Sequence, residues 1–319
     1  MEFLVAGYEI IEQQPGISGI YKAAELPGRI CYGSQDKIKE GSAELFVKGL
    51  MKSNHGAPLE HGTVYLKADD IFSDDYAAEH EYNGNPLDYI CNPLDWFCTN
   101  PYSKCNRHND TLYVTTNLRV LFEHNKINYL TEYLCEPTQY HEKRIMVRFT
   151  LDRFTGEEFL RHRIASFNRE STRYVTFTKE KFGGGSIKYI IPVWMLEETP
   201  LIHQYKQWNI TEYFPYIEKT ENGNNVMNDV MVWMFALKSC EWSYNILVNQ
   251  YGWKAEQART VLPCAISSPL IKTAFVSDWK HFFDLRALGT TGVPHPQAKE
   301  LAEPLMKDFI KMGLLESIL

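Results

Sequence analysis

The chain has no long apolar run, no excess of positive charge and no Cys-x-x-Cys pair, and each absence removes a class of function. No apolar stretch approaches the roughly 20 residues that a membrane-spanning helix needs, so no membrane partner is expected. Lys and Arg number 33 against 40 Asp and Glu, a formal net charge of −7. A protein that lives on duplex nucleic acid normally carries a basic surface, so no nucleic-acid partner is expected either. The seven cysteines (Cys31, Cys91, Cys98, Cys105, Cys135, Cys240 and Cys264) are odd in number and form no tight pair, which favours reduced thiols in a cytosol. The segment "MEFLVAGYEIIEQQPG" has early acidic residues and a short apolar run; it fits neither a signal nor a transit peptide, and a cytoplasmic location is expected. A dinucleotide fingerprint is also missing. The run Gly183-Gly184-Gly185 precedes a strand-like stretch, whereas the fingerprint needs a strand before and a helix after, so a turn is predicted there.

With 319 residues, 44% hydrophobic and 13% aromatic, the chain reads as a compact globular protein. Alternation predicts strands at "EFLVAGYEII", "TVYLKA", "TLYVTT" and "RIMVRFTLD". Helical spacing predicts helices at "SAELFVKGLMKSN" (with Leu45, Phe46, Leu50 and Met51 as its apolar positions), "NLRVLFEHN", "FTGEEFL", "KAEQARTVL", "SDWKHFFDLR" and "QAKELAEPLMKDFIKMGLL". A longer helix is marked by the stripe Val226, Val230, Trp233, Met234, Leu237, Tyr244, Leu247 and Tyr251, read as core or subunit interface.

Residues 69–110 differ from the rest. They carry the near repeat "NPLDYIC", "NPLDWFC" and a looser "NPYSKC", each copy expected to start a turn. Cys91, Cys98 and Cys105 at seven-residue spacing, with His108 beyond, raise a metal site. Zinc spacings are paired and tight, so no metal is expected, and the stretch reads as a surface insertion grown by duplication, with buried or idle thiols.

The densest chemistry lies in "RHRIASFNRESTRY", residues 161–174. Arginine presents a planar fork of donors that phosphate sites collect, yet Arg161, Arg163, Arg169 and Arg173 repel one another unless something anionic intervenes. Glu157, Glu158 and Glu170 could serve as counterions on a solvated face. The interleaved His162, Ser166, Asn168, Ser171 and Thr172 favour a nucleotide site instead, because they are short directional donors and acceptors.

Here the sequence resembles the flavin-dependent thymidylate synthases, through an Arg-His-Arg, seven residues, Ser signature at Arg161-His162-Arg163 and Ser171. "HGAPLEH" (55–61), "ARTVLP" (258–263), "HFFDLR" (281–286) and "HPQAKELA" (295–302) resemble further motifs of that family in the same order. The resemblance implies a mixed α/β (α+β) single-domain protomer spanning 1–319, with a twisted mixed sheet and a helical part, inserted at about 69–110. It implies a homotetramer with shared active sites. The implied reaction converts dUMP to dTMP, with 5,10-methylenetetrahydrofolate as carbon donor and NADPH-reduced FAD as hydride donor.

Carried over by position, the resemblance assigns flavin contacts to Arg161, His162, Arg163, His281, His55 and the backbone of Ala57. Glu158, Glu170, Ser171, Thr172, Arg173 and Arg259 are implied nucleotide contacts, with Arg161 and Arg169 touching both ligands. Arg286 is the implied activator of the uracil ring, a fixed cation beside a developing ring anion. Ser171 would be a nucleophile only beside a base; His162 could be that base if its ring turned toward it, and orientation of the substrate is the preferred role. Arg259 has a competing role, pairing with Glu256. His295 and Gln297 match late motif positions, and Cys264 reads as a buried small residue. Two departures stand out. Arg169 replaces a usual Gln or Glu, and Ala57 replaces a usual Ser or Thr. The rival class is a non-enzymatic nucleotide- or RNA-binding protein using the same arginine cluster.

Overall fold

The computed structural model describes residues 1–72, 90–173, 176–178, 186–221 and 226–316. Its strands are β1 (Glu2–Leu4), β2 (Gly7–Ile11), β3 (Thr63–Asp69), β4 (Ile71–Phe72), β5 (Ile90–Cys91), β6 (Lys104–His108), β7 (Thr111–Asn117), β8 (Arg144–Thr150), β9 (Ser166–Arg169), β10 (Lys188–Ile190) and β11 (Leu270–Phe275). The helices used below are α1 (Gly16–Cys31), α2 (Ser42–Lys52), α3 (Leu118–Glu123), α4 (Arg153–Phe159), α5 (Asp229–Asn249), α6 (Val276–Phe283) and α7 (Pro296–Lys311).

The expected mixed α/β class holds, and the sheets are mostly antiparallel. A four-stranded sheet runs in the order β2-β8-β11-β9, a three-stranded one in the order β3-β7-β6, and β4 pairs with β5; parallel pairing among the described residues is confined to β1 and β10.

Strand alternation divides the four-stranded sheet into two faces. On one, Val147, Phe149, Leu270 and Ala274 meet Trp279, Phe282 and Phe283 of α6 and Leu301, Leu305 and Phe309 of α7, all buried. Removing one of these aromatic side chains costs about 3–5 kcal/mol. On the other, Met146 and Ile271 pack against Ala23 and Ile30 of α1. That second face also carries polar residues in register: Thr273 lies opposite both Met146 and Ser166, Ile271 opposite Asn168, and Phe275 opposite Arg144.

The three-stranded sheet buries Val64, Leu66, Leu112 and Val114 against Ile20 and Ala24 of α1 and Val47 and Leu50 of α2. Leu45 of α2, expected on the apolar face, is exposed instead. The segment read as a surface insertion contributes to this core: Leu94 and Phe97 are fully buried in it, and β6 is its third strand. The correction has a physical reason, since an apolar turn following Asn-Pro closes the end of a sheet that would otherwise be open. Asn92 starts a turn as expected, its Oδ1 accepting from Leu94 N, and Asn100 does likewise for Tyr102 N. The first "NPLD" copy and the triple glycine lie outside the described residues. No group of three His, Cys, Asp or Glu placed to hold a metal occurs among the described residues.

The helical part is α5 with the shorter helices Thr199–Lys206 and Phe214–Glu221. Val230, Met234, Leu237 and Tyr244 of the expected stripe are buried, whereas Val226 and Tyr251 lie beyond the helix ends and are exposed. The predicted helix at 254–262 shortens to Ala255–Ala258 and a 3-10 turn, Arg259–Val261. Among the described residues, no helix is long and apolar enough to cross a membrane.

Candidate active site

The short helix α4 organises the site. Asp152 caps it, accepting from Thr155 N at 3.0 Å, a cap worth about 1 kcal/mol. Its last turn presents two neighbouring carboxylates that hold different arginines. Glu158 Oε2 accepts from Arg286 Nη1 at 2.6 Å, while Glu157 Oε1 accepts from Arg169 Nη1 at 2.9 Å.

Arg286 is fixed at all three nitrogens. Besides the carboxylate, Nη2 donates to the Glu158 carbonyl at 3.0 Å and Nε donates to His162 Nε2 at 3.2 Å. A ring nitrogen that accepts must be unprotonated, so His162 carries its proton on Nδ1. Burial, then the nearby Lys272, Arg286, His281 and Arg161, pushes the pKa of this imidazole down to about 3. Its ring packs edge-on against Phe282 (5.0 Å between centroids) and His281 (5.8 Å). Arg286 itself sits on a π-helical turn, Asp284–Leu288, that follows α6. The turn ends at Gly289 with φ +71°, where a Cβ would fall 2.7 Å from both the Gly292 carbonyl oxygen and Pro294. Only glycine fits there.

Arg161 and Arg163 are exposed, and neither has an acidic partner among the described residues. Of the counterions expected on a solvated face, Glu157 does pair with an arginine of the cluster, whereas Glu158 is engaged outside it. Glu157 and Glu158 hold Arg169 and Arg286; Glu170 is partly buried, its pKa raised by desolvation against the opposing fields of Lys188 and Arg148.

A second cluster follows on the chain. Ser171 N donates to the Cys31 carbonyl at 3.1 Å, which ties the loop to the C-terminus of α1. Ser171 Oγ accepts from Arg173 N at 3.2 Å, and no hydrogen bond joins it to His162 among the described residues. The base that a serine nucleophile needs is therefore not presented by that ring. Arg259 Nη1 donates to Thr172 Oγ1 at 3.4 Å, and Glu256, its expected competitor, pairs with Arg173 instead.

A third group is formed by His55, whose Nδ1 lies 3.2 Å from Tyr32 Oη one residue past Cys31, and by Ala57, exposed at the start of the 3-10 turn Ala57–His61. Of the late motif positions, Gln297 is buried and donates to Asp152 at 3.0 Å, supporting the α4 cap, and His295 packs edge-on against Trp194. Cys264 is partly buried.

Three buried polar residues escaped the sequence reading. His61 is fully buried between Thr273 Oγ1 (2.8 Å) and Asn168 Oδ1 (3.3 Å), and burial drives its pKa down to about 3. Arg144 donates to the Glu60 carbonyl, Thr63 and Ser166, its pKa lowered to about 10 by burial. Lys272 is 1% exposed within the aromatic face. His61 closes the "HGAPLEH" motif, and Lys272 is the one charge in "PLIKTAFV"; both signals were available.

These elements define a mixed α/β protein in which arginines, an uncharged histidine and hydroxyls gather at α4 and the loop after β9. A family model described as "Thymidylate synthase complementing protein" matches residues 125–312. The chain belongs to this family, the flavin-dependent thymidylate synthases. It is similar to the flavin-dependent thymidylate synthase of Geobacter sulfurreducens, 29% identical over 136 residues, 43% of this chain and 44% of that protein. The match thus spans less than half the length of that curated relative. Among solved structures, a UMP/dUMP methylase, PolB, from Streptomyces cacaoi bound with 5-Br dUMP aligns at 16% identity and TM-score 0.37, covering 98% of this chain and 93% of that one. A flavin-dependent thymidylate synthase, ThyX, from Helicobacter pylori complexed with FAD and dUMP aligns at 20% identity and TM-score 0.32, over 51% of this chain and 66% of that one.

Proposed function

We propose that this protein methylates dUMP to dTMP, with 5,10-methylenetetrahydrofolate as carbon donor, and that it works as a homotetramer with active sites shared between subunits. The observation that carries the reading is the Arg286 guanidinium, held at three points by Glu158 and His162. A cation fixed in advance stabilises charge that develops on a uracil ring without reorganising during the reaction.

FAD fits the residues present. Arg161 and Arg163 are exposed cations without acidic partners among the described residues, the donor type that a pyrophosphate selects. Bound FAD, reduced by NADPH, would supply the hydride. His281 and the His55–Ala57 turn offer ring and backbone contacts to the flavin. Ser171, Thr172, Arg173 and Arg259 hold the nucleotide, with Glu170 beside them and Arg169 steered by Glu157. Ser171 orients the substrate, since its hydroxyl already accepts from Arg173 N and has no base. Glu158 meets the nucleotide from α4 while keeping its hold on Arg286.

The test is direct. Purified protein should be yellow, with flavin absorbance, and should oxidise NADPH faster when dUMP is added. Colourless protein that neither takes up FAD nor responds to dUMP overturns the reading and leaves a nucleotide-binding protein.

A further inference from the structure

Lys272 has no use in the function above, yet its position is unusual. It lies on the central strand β11, opposite Val147 and Phe167, which offer no polar side-chain atom. Its Nζ is buried without a hydrogen-bond partner, and no carboxylate among the described residues lies within ion-pair distance of it. Two ring faces take the place of an acid: Nζ is 4.0 Å from the Trp279 centroid and 3.9 Å from that of Phe282. Phe282 is also the ring against which His162 packs at 5.0 Å. One aromatic side chain is therefore shared by the buried amine and by the imidazole that accepts from Arg286.

We propose that Lys272 is a positioning residue, an ammonium held by the faces of Trp279 and Phe282 whose charge keeps His162 an uncharged acceptor and thereby keeps Arg286 on Glu158. A protonated His162 would turn an N–H toward Arg286 Nε, and two donors cannot share that contact. A cation on the other side of their shared neighbour, Phe282, disfavours that protonation. Arg286, His281 and Arg161 act on His162 in the same direction. The acidic group facing Lys272 is Asp278 of α6, whose own Oδ2 is unpaired. Burial lowers the pKa of Lys272 well below its ordinary value and favours the neutral amine; Asp278 opposes that shift, and the two aromatic faces favour the charged form most where water is excluded.

The consequence for turnover rests on the proposed function; the electrostatic statement does not, and the two are tested apart. Histidine-labelled and lysine-labelled full-length protein is titrated by NMR, with His162→Gln to assign the ring. In the unsubstituted protein, the Lys272 side-chain resonance should report a charged amine at pH 7. Lys272→Met should raise the His162 midpoint by about one pH unit, a roughly tenfold larger protonated fraction at pH 5, and Lys272→Arg should restore the original value. If the protein is a synthase, the acid limb of its pH–kcat profile should move by the same amount in Lys272→Met, with KM for dUMP unchanged. A neutral Lys272 at pH 7, or a folded Lys272→Met with an unmoved His162 midpoint, overturns the proposal. The first of these measurements needs no variant to fold, and neither needs the protein to be active.

Discussion

Arg169 donates to Glu157 at 2.9 Å, across the turn that separates α4 from β9. The arginine that departs from the family pattern is thus paired within its own subunit, by a carboxylate one residue before the one that holds Arg286. Glu157 is 54% exposed, and exposed pairs contribute about 0–1 kcal/mol. Arg169→Gln should therefore leave the unfolding free energy within about 1 kcal/mol of the parent. Urea unfolding measures this, and a larger loss would mean that the pair is structural.

Arg286→Ala should abolish dTMP formation while flavin reduction by NADPH remains measurable, because the role proposed for the cation lies at the uracil ring and not at the flavin. Removing such a preorganised donor costs on the order of 10²–10³ in kcat. Glu158→Gln should be milder, since the Glu158 carbonyl and His162 still hold the guanidinium. Full synthase activity in Arg286→Ala would exclude the role given to it.

Arg161→Ala and Arg163→Ala should each lower flavin occupancy and leave folding intact, since neither side chain is engaged in an ion pair among the described residues. One charge-assisted contact is worth about 1.5–3 kcal/mol, so the flavin dissociation constant should rise roughly tenfold or more. Flavin absorbance retained through gel filtration reads the outcome; unchanged occupancy in both variants would move the flavin elsewhere.

Ser171→Ala should raise KM for dUMP without abolishing turnover. A nucleophile would behave differently, with kcat lost and KM little changed. Steady-state kinetics with both Ser171→Ala and Ser171→Cys separate the two roles.

Stability should fall on mild acidification. His61 and His162 have native pKa values near 3, against about 6.5 when unfolded. Below 6.5 the unfolded chain takes up protons that the native state refuses, so stability present at neutral pH is lost between about 6.5 and 3. The slope approaches about 1.4 kcal/mol per pH unit for the fully buried His61 and is smaller for the partly buried His162. His61→Gln should flatten the profile relative to the parent, as read from urea midpoints at pH 7, 6 and 5; parallel profiles would contradict the assignment.

The strands were legible because alternating apolar residues announce a half-buried sheet, and "RIMVRFT" and "TLYVTT" form strands where expected. The helix α1 was not. Its sequence contains Gly16, Gly19, Pro27 and Gly28, which local propensity reads as breaks, yet Gly28 gives room to the ring of Phe46 and the Pro27 carbonyl accepts from Asn168. Tertiary contacts override propensity there. The candidate site residues were named by motif, and Glu157 and Glu158 were named as counterions, but which arginine each holds was not legible. Glu157 with Arg169, Glu256 with Arg173 and Glu158 with Arg286 lie 12, 83 and 128 positions apart, and no local pattern encodes such pairs.

The bond from Ser171 N to the Cys31 carbonyl bears on where this protein can be cut. The matched family region begins at residue 125, but the loop that carries Ser171 rests on the end of α1, and His61, which braces Asn168, precedes that boundary as well. A fragment trimmed to the recognisable region would keep the signature arginines and lose the floor beneath them. Cys31 and His61 thus brace, from before that boundary, the strand and loop that carry the proposed nucleotide contacts, and grafting or shortening the chain ahead of residue 62 removes that support.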